Sequence, residues 1–109
     1  KNHFKNLPIK MNTSDKNSTP VYWMSTIYIE TKKNIKELLI NFFKKKGVML
    51  RPFFYPISSM PMYKKKLNNK NSYKISKSAV NLPSGYNLTT KDINYISNQI
   101  KFFLKNKIK

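Results

Sequence analysis

The sequence predicts an α+β fold, a small sheet with two helices packed on it, and three observations carry that prediction. A β-branched and aromatic run without a breaker follows Pro20, from Val21 to Glu30. Two stretches then switch to a helical period, Ile35 to Phe43 and Ile93 to Leu104. At 109 residues the chain forms one small domain, able to bury roughly 65% of the surface it exposes when unfolded.

Residues 1–19 are lysine- and asparagine-rich with sparse apolar punctuation, and read as a connecting segment. His3 lies there without a carboxylate or second histidine nearby, so it reads as a solvent-exposed residue. In the strand after Pro20, Val21, Trp23, Ser25, Ile27 and Ile29 share one face, with Tyr22, Met24, Thr26 and Tyr28 on the other. Both faces are largely apolar, which predicts cover on two sides and a buried Trp23.

Ile35, Leu38, Leu39, Phe42 and Phe43 draw one helical stripe, read as core packing. Lys44, Lys45 and Lys46 meet the negative end of that helix, and Gly47 is its left-handed stop. Val48 to Arg51 resumes an extended pattern. A loop dense in proline and aromatics follows, from Arg51 through Pro52, Phe53, Phe54, Tyr55 and Pro56 to Met60-Pro61-Met62-Tyr63. Prolines stiffen such a loop, and a stiff loop that presents aromatic faces is suited to line a cleft.

Lys64 to Ser78 is polar, a mobile helix-loop, and Ala79 to Gly85 is a short extended piece ending in a turn. Thr89 is the N-cap of the last helix, with Asp92 at its third position and Leu88 and Ile93 placed as a staple. The division expected is a connector at 1–19, the domain at 20–105 and a frayed tail at 106–109.

Composition excludes most self-contained catalysis. There is no cysteine, one histidine, two glycines and only 4 Asp+Glu, which leaves no thiolate, no metal cluster, no phosphate-cradling glycine loop and no acid–base pair. No apolar run approaches the ~18 residues that span a bilayer. The first residue is Lys1 rather than Met, which raises the expectation of a fragment or processed product.

The net charge of +18 raises nucleic acid or an anionic membrane as partner. Arg51 is the one arginine, however, and the lysines travel with Asn, Ile, Phe and Tyr, whose codons are rich in A and T. Solvated lysine faces are therefore the preferred reading. A small basic nucleic-acid-binding module with aromatic platforms is the alternative. A peripheral membrane binder is disfavoured because each helical stripe is needed for the core.

In order and spacing, Val21-Tyr22-Trp23-Met24, Gly47 to Pro56, Met60 to Tyr63, Asn81-Leu82-Pro83-Ser84 and Leu88 to Ile93 resemble the DegT/DnrJ/EryC-type sugar aminotransferases, over roughly Val21 to Leu104. Within that family they look most like the perosamine-synthase branch, which makes a 4-amino sugar on a GDP carrier. The resemblance implies the C-terminal domain of a pyridoxal-phosphate enzyme of the aspartate-aminotransferase (type I) fold. It implies a cofactor bound by a large N-terminal domain, since no lysine here stands in the family's cofactor-lysine context. It also implies a nucleotide-sugar substrate, an amino donor such as glutamate, a homodimer, a cytoplasmic location and a role in surface-polysaccharide synthesis. The isolated chain is then expected to be inactive.

Four residues are expected to contact substrate. Arg51 suits a carboxylate or phosphate, Phe53 and Tyr55 suit stacking on a sugar or base, and Ser58 stands where the resembled pattern often has histidine. Tyr63 and Met60 are expected in the core.

Overall fold

The computed structural model describes residues 2–31, 34–63 and 68–108. Four short strands form one antiparallel sheet: β1 (Ile9–Met11), β2 (Thr26–Ile29), β3 (Arg51–Pro52) and β4 (Ala79–Asn81), in the order β1-β2-β4-β3. Among the described residues three α-helices accompany it: α1 (Lys36–Lys44), α2 (Lys70–Ser78) and α3 (Thr90–Lys107). The α+β class is as the sequence predicts, with one helix more than the two expected.

Register sorts the side chains to two faces. Met11, Ile27, Val80 and Pro52 form one row, and its inner members Ile27 and Val80 are fully buried. They meet Leu39 and Phe43 of α1 and Ile96, Ile100, Phe103 and Leu104 of α3 in a single core. Each fully buried side chain of this size stabilises the fold by about 1.5–3 kcal/mol. The opposite face carries the rows Lys10–Tyr28–Ala79 and Thr26–Asn81–Arg51, and α2 packs there against β2 and β4. The Thr26 hydroxyl donates to Asn81 Oδ1 at 2.7 Å, which satisfies a buried amide in the middle of the sheet.

Helix ends follow the sequence signals. Gly47 has φ +71°, and Val48 N–H reaches Phe43 O (3.0 Å) while Gly47 N–H reaches Lys44 O (3.1 Å), a Schellman stop. Thr89 and Asp92 form a reciprocal capping box at the start of α3.

Five expectations are corrected. Residues 1–19 do not merely connect: Phe4 is buried in the core and Ile9–Met11 is the edge strand, because Ile9 and Met11 pack inward against the cluster. The strand after Pro20 is only Thr26–Ile29, since the backbone at Tyr22 turns to φ +51°. Trp23 is accordingly 72% exposed rather than core. Met60 and Tyr63 are also exposed, carried outward on their loop. The end of the chain is not loose through 106–108: α3 runs to Lys107, and Ile108 packs on the core with its N–H on Leu104 O (2.9 Å). The Lys64-Lys65-Lys66 run and the terminal Lys1 and Lys109 lie outside the described residues.

Candidate substrate-binding site

β3 delivers the proline-aromatic loop to the α2 face of the sheet. Phe53 N–H donates to Ala79 O (3.2 Å), so the loop's first residue stays pinned to β4. Pro56, at φ −57°, then opens a short 3-10 turn at Ile57–Ser59. Ser59 closes it from both its N–H and its hydroxyl, each donating to Pro56 O (2.8 and 2.6 Å). The loop is thus stiffened by ring and hydrogen bond alike, as its proline content predicts.

A groove of about 400 Å³ runs between this loop and α2. Phe53, Tyr55 and Ser58 line it together with Asn69, Ser72 and Ile75. The Ser58 hydroxyl lies 3.2 Å from the Tyr73 hydroxyl and accepts from Asn69 Nδ2 at 3.3 Å. These long, partly exposed bonds make a small neutral cluster of exchangeable donors and acceptors, suited to replacement by ligand hydroxyls. Beyond the groove, Trp23 stacks on Phe54 (centroids 6.2 Å apart, planes at 19°), and Phe54 meets Phe53 edge-on.

Lys36 holds the base of the site. Its side chain is inserted from the first turn of α1, where Nζ donates to Ser76 O of α2 (3.1 Å) and lies 5.7 Å from the centroid of the Tyr55 ring. A cation is thereby placed on an orphan carbonyl of the last turn of α2 and beneath an aromatic of the site loop.

Arg51 stands apart. It is exposed on the same sheet face as Phe53, two residues along, and lines neither this groove nor its neighbour. No ion-pair partner faces it among the described residues. The structure therefore brings together three of the four expected residues. Asn69, Tyr73 and Lys36 were not foreseen. The one available signal was the i, i+4 spacing of Asn69 and Tyr73, which puts them on one side of a helix.

Phe53 and Ile75 also wall a second groove of about 450 Å³, rimmed by Lys10, Asn12, Tyr28, Glu30 and Lys74. Lys10 and Glu30 are bonded at 2.6 Å, and that hydrogen bond and charge hold the Lys10 ammonium protonated to higher pH than usual. Among the described residues no group of three or more metal-ligating side chains occurs, and no helix is long and apolar enough to cross a membrane. The loop groove does not fit pyridoxal phosphate, because its lining residues include neither a lysine for a Schiff base nor a carboxylate for the pyridine nitrogen, and in the second groove the lining carboxylate, Glu30, is tied to Lys10. Among the described residues the Ser58 hydroxyl is partnered by Tyr73 and Asn69, an arrangement suited to binding and orienting a ligand.

The sequence model of the DegT/DnrJ/EryC1/StrS aminotransferase family matches residues 1–101, and the chain belongs to that family. GDP-perosamine synthase of Vibrio cholerae is 29% identical over 100 residues, covering 87% of this chain and 27% of that protein. GDP-perosamine synthase of Escherichia coli O157:H7 is 30% identical over 100 residues, covering 91% of this chain and again 27% of the relative. The chain thus spans about a quarter of the length of these relatives. Among solved structures, the PMP form of the sugar aminotransferase Spr1654 of Streptococcus pneumoniae superposes with a TM-score of 0.79 at 17% identity, over 96% of this chain and 28% of that one. The aminotransferase TlmJ of Streptoalloteichus hindustanus superposes with a TM-score of 0.76 at 11% identity, over 91% and 27%. These two show the fold.

Proposed function

We propose that this chain is the C-terminal, cleft-closing part of a pyridoxal-phosphate-dependent sugar-nucleotide aminotransferase of the GDP-perosamine type. The observation that carries the reading is the stiffened loop 53–58 over α2, which turns Phe53, Tyr55 and the Ser58 hydroxyl into one groove. Aromatic walls with neutral hydroxyl and amide groups at one end suit a sugar carried on a nucleotide. Arg51, which has no ion-pair partner among the described residues, contacts an anion outside the groove, either the donor's carboxylate or the diphosphate. The cofactor and its lysine belong to the remainder of the enzyme, which is cytoplasmic and dimeric, takes its amino group from glutamate and serves surface-polysaccharide synthesis. By itself the chain orients substrate and does not transaminate.

The test is a chimera in which this chain replaces the matching 27% of the Escherichia coli relative. Turnover is expected in the chimera, with Arg51→Ala and Tyr55→Ala each raising KM for the sugar nucleotide or donor. Wild-type-like kinetics in both variants would remove these residues from the site.

The exposed Trp23–Phe54 stack, on a chain of charge +18, favours a second reading as a non-specific single-strand binder. Its affinity would fall by orders of magnitude between about 50 and 200 mM salt. No binding at low salt would end it.

A further inference from the structure

Three aromatic residues follow one another at the loop groove, and each is held by a different contact. Phe53 is pinned by its N–H to Ala79 O (3.2 Å), and the Phe54 ring stacks on Trp23. Tyr55 lines the groove with 61% of its surface exposed, and Lys36 Nζ lies over its ring, 5.7 Å from the centroid. That is inside the ~6 Å within which an ammonium is attracted to an aromatic face.

The ammonium is itself anchored. Lys36 is 7% exposed, and its Nζ donates to the backbone oxygen of buried Ser76 (3.1 Å), in the last turn of α2. Ile75, the residue before Ser76, and Ser72, one turn earlier, line the α2 wall of the groove. One cation is thus fixed to the α2 wall by a hydrogen bond and to the loop wall by a ring face. An apolar side chain in its place would fill space but attract no ring. Lys36 does not line the groove, so what it does to a ligand there runs through Tyr55.

We infer that Lys36 is a positioning residue of the substrate site, which sets the pitch of the Tyr55 ring against α2 and so the surface that the groove offers to a sugar or base. This role rests on the groove being the sugar-nucleotide site proposed above, and it adds a residue that lies beneath the groove rather than in it. Without the ammonium the Tyr55 ring gains freedom, and a ligand must order it again on binding. Immobilising one such side chain weakens binding about fivefold. A loss shared by ground state and transition state raises KM and spares kcat.

The test compares Lys36→Met, Lys36→Arg, Tyr55→Ala and Lys36→Met/Tyr55→Ala, in the chimera described above and in the 109-residue chain. Circular dichroism confirms that each variant is folded. With GDP-4-keto-6-deoxymannose as the varied substrate of the chimera, Lys36→Met should raise KM about fivefold at unchanged kcat. Lys36→Arg keeps the charge and a donor and should bring KM back to within about twofold of the parent. In the Tyr55→Ala background Lys36→Met should raise KM no further, because the two side chains act as one unit. In the chain, ring-labelled tyrosine is read by NMR, with the Tyr55 signal assigned by its loss in Tyr55→Ala. That signal should move in Lys36→Met and return in Lys36→Arg, which loss of stability alone would not produce. A Tyr55 signal unmoved by Lys36→Met overturns the inference whatever the chimera does. So does a KM raised by Tyr55→Ala but not by Lys36→Met, or raised equally by Lys36→Met with and without Tyr55, and the proposed function survives both results. If Tyr55→Ala itself leaves KM unchanged, Tyr55 is not in the substrate site and the role of Lys36 falls with it.

Discussion

Replacing Lys36 by methionine separates the ammonium of this side chain from its stem. Lys36 is 7% exposed, and its stem lies on the same side of α1 as Leu39 and Phe43. Methionine keeps most of that volume and loses the bond to Ser76 O, which from a charged donor is worth about 1.5–3 kcal/mol. The contact with the Tyr55 ring adds about 0.5–1 kcal/mol. The pair with Glu37, at 3.8 Å and largely exposed on the glutamate side, adds little. Relief from holding a cation out of water offsets part of this sum, leaving a net loss of about 1–2 kcal/mol. Lys36→Ala also removes the outer stem, at about 0.8 kcal/mol per methylene, and should fall roughly 2 kcal/mol below the methionine variant. Urea unfolding followed by circular dichroism reads both, with an unchanged slope expected. A methionine variant as stable as the parent would refute the reasoning, because desolvation would then cancel the bond that ties α1, α2 and the loop together.

Thr89→Ala removes half of the α3 capping box and should destabilise the chain by about 1 kcal/mol, read as a lower urea midpoint. Hydrogen bonds from the Thr89 side chain and backbone hold the Asp92 carboxyl below its usual value, so its contribution is complete above about pH 4 and is lost as pH falls through the folded value. The alanine variant should show a shallower acid loss than the parent between pH 5 and 2, values set by that same linkage at about these limits. Gly47→Ala meets no atom within 4 Å but must adopt φ +71°, so its cost is conformational, about 1 kcal/mol, with no change in the packing of α1.

What the sequence revealed and what it hid divide along the range of the interactions. α1 and the capped α3 rest on stripes and end signals within a few residues, and both were legible. β1 has three residues and one intervening lysine, too short for a period, and its partner Ile27–Ile29 lies well along the chain. The apolar run after Pro20 looked like a buried strand because alternation cannot report that Tyr22 turns to positive φ and that Trp23 finds Phe54 instead of the core. α2 has a single buried residue, Ser76, and so no stripe to betray it. Besides its packing on β2 and β4, it is held by Lys36, a residue type expected at a surface. The groove residues Asn69 and Tyr73 were hidden with it, whereas Phe53, Tyr55 and Ser58 announced themselves through the prolines around them.

The hydrogen bond from Thr26 to Asn81 joins residues 55 apart in the chain, and everything that shapes the groove is strung between them. Closing a loop of that length costs conformational entropy before any strand pairing repays it. Local helices can flicker on early, but β2 and β4 meet only when the whole excursion has been gathered in. Ordering of the groove is thus coupled, through the connectivity of the chain, to the step that closes the β2–β4 pairing. A ligand seated there would draw on that step, so the binding surface and the completed sheet rise and fall as one equilibrium.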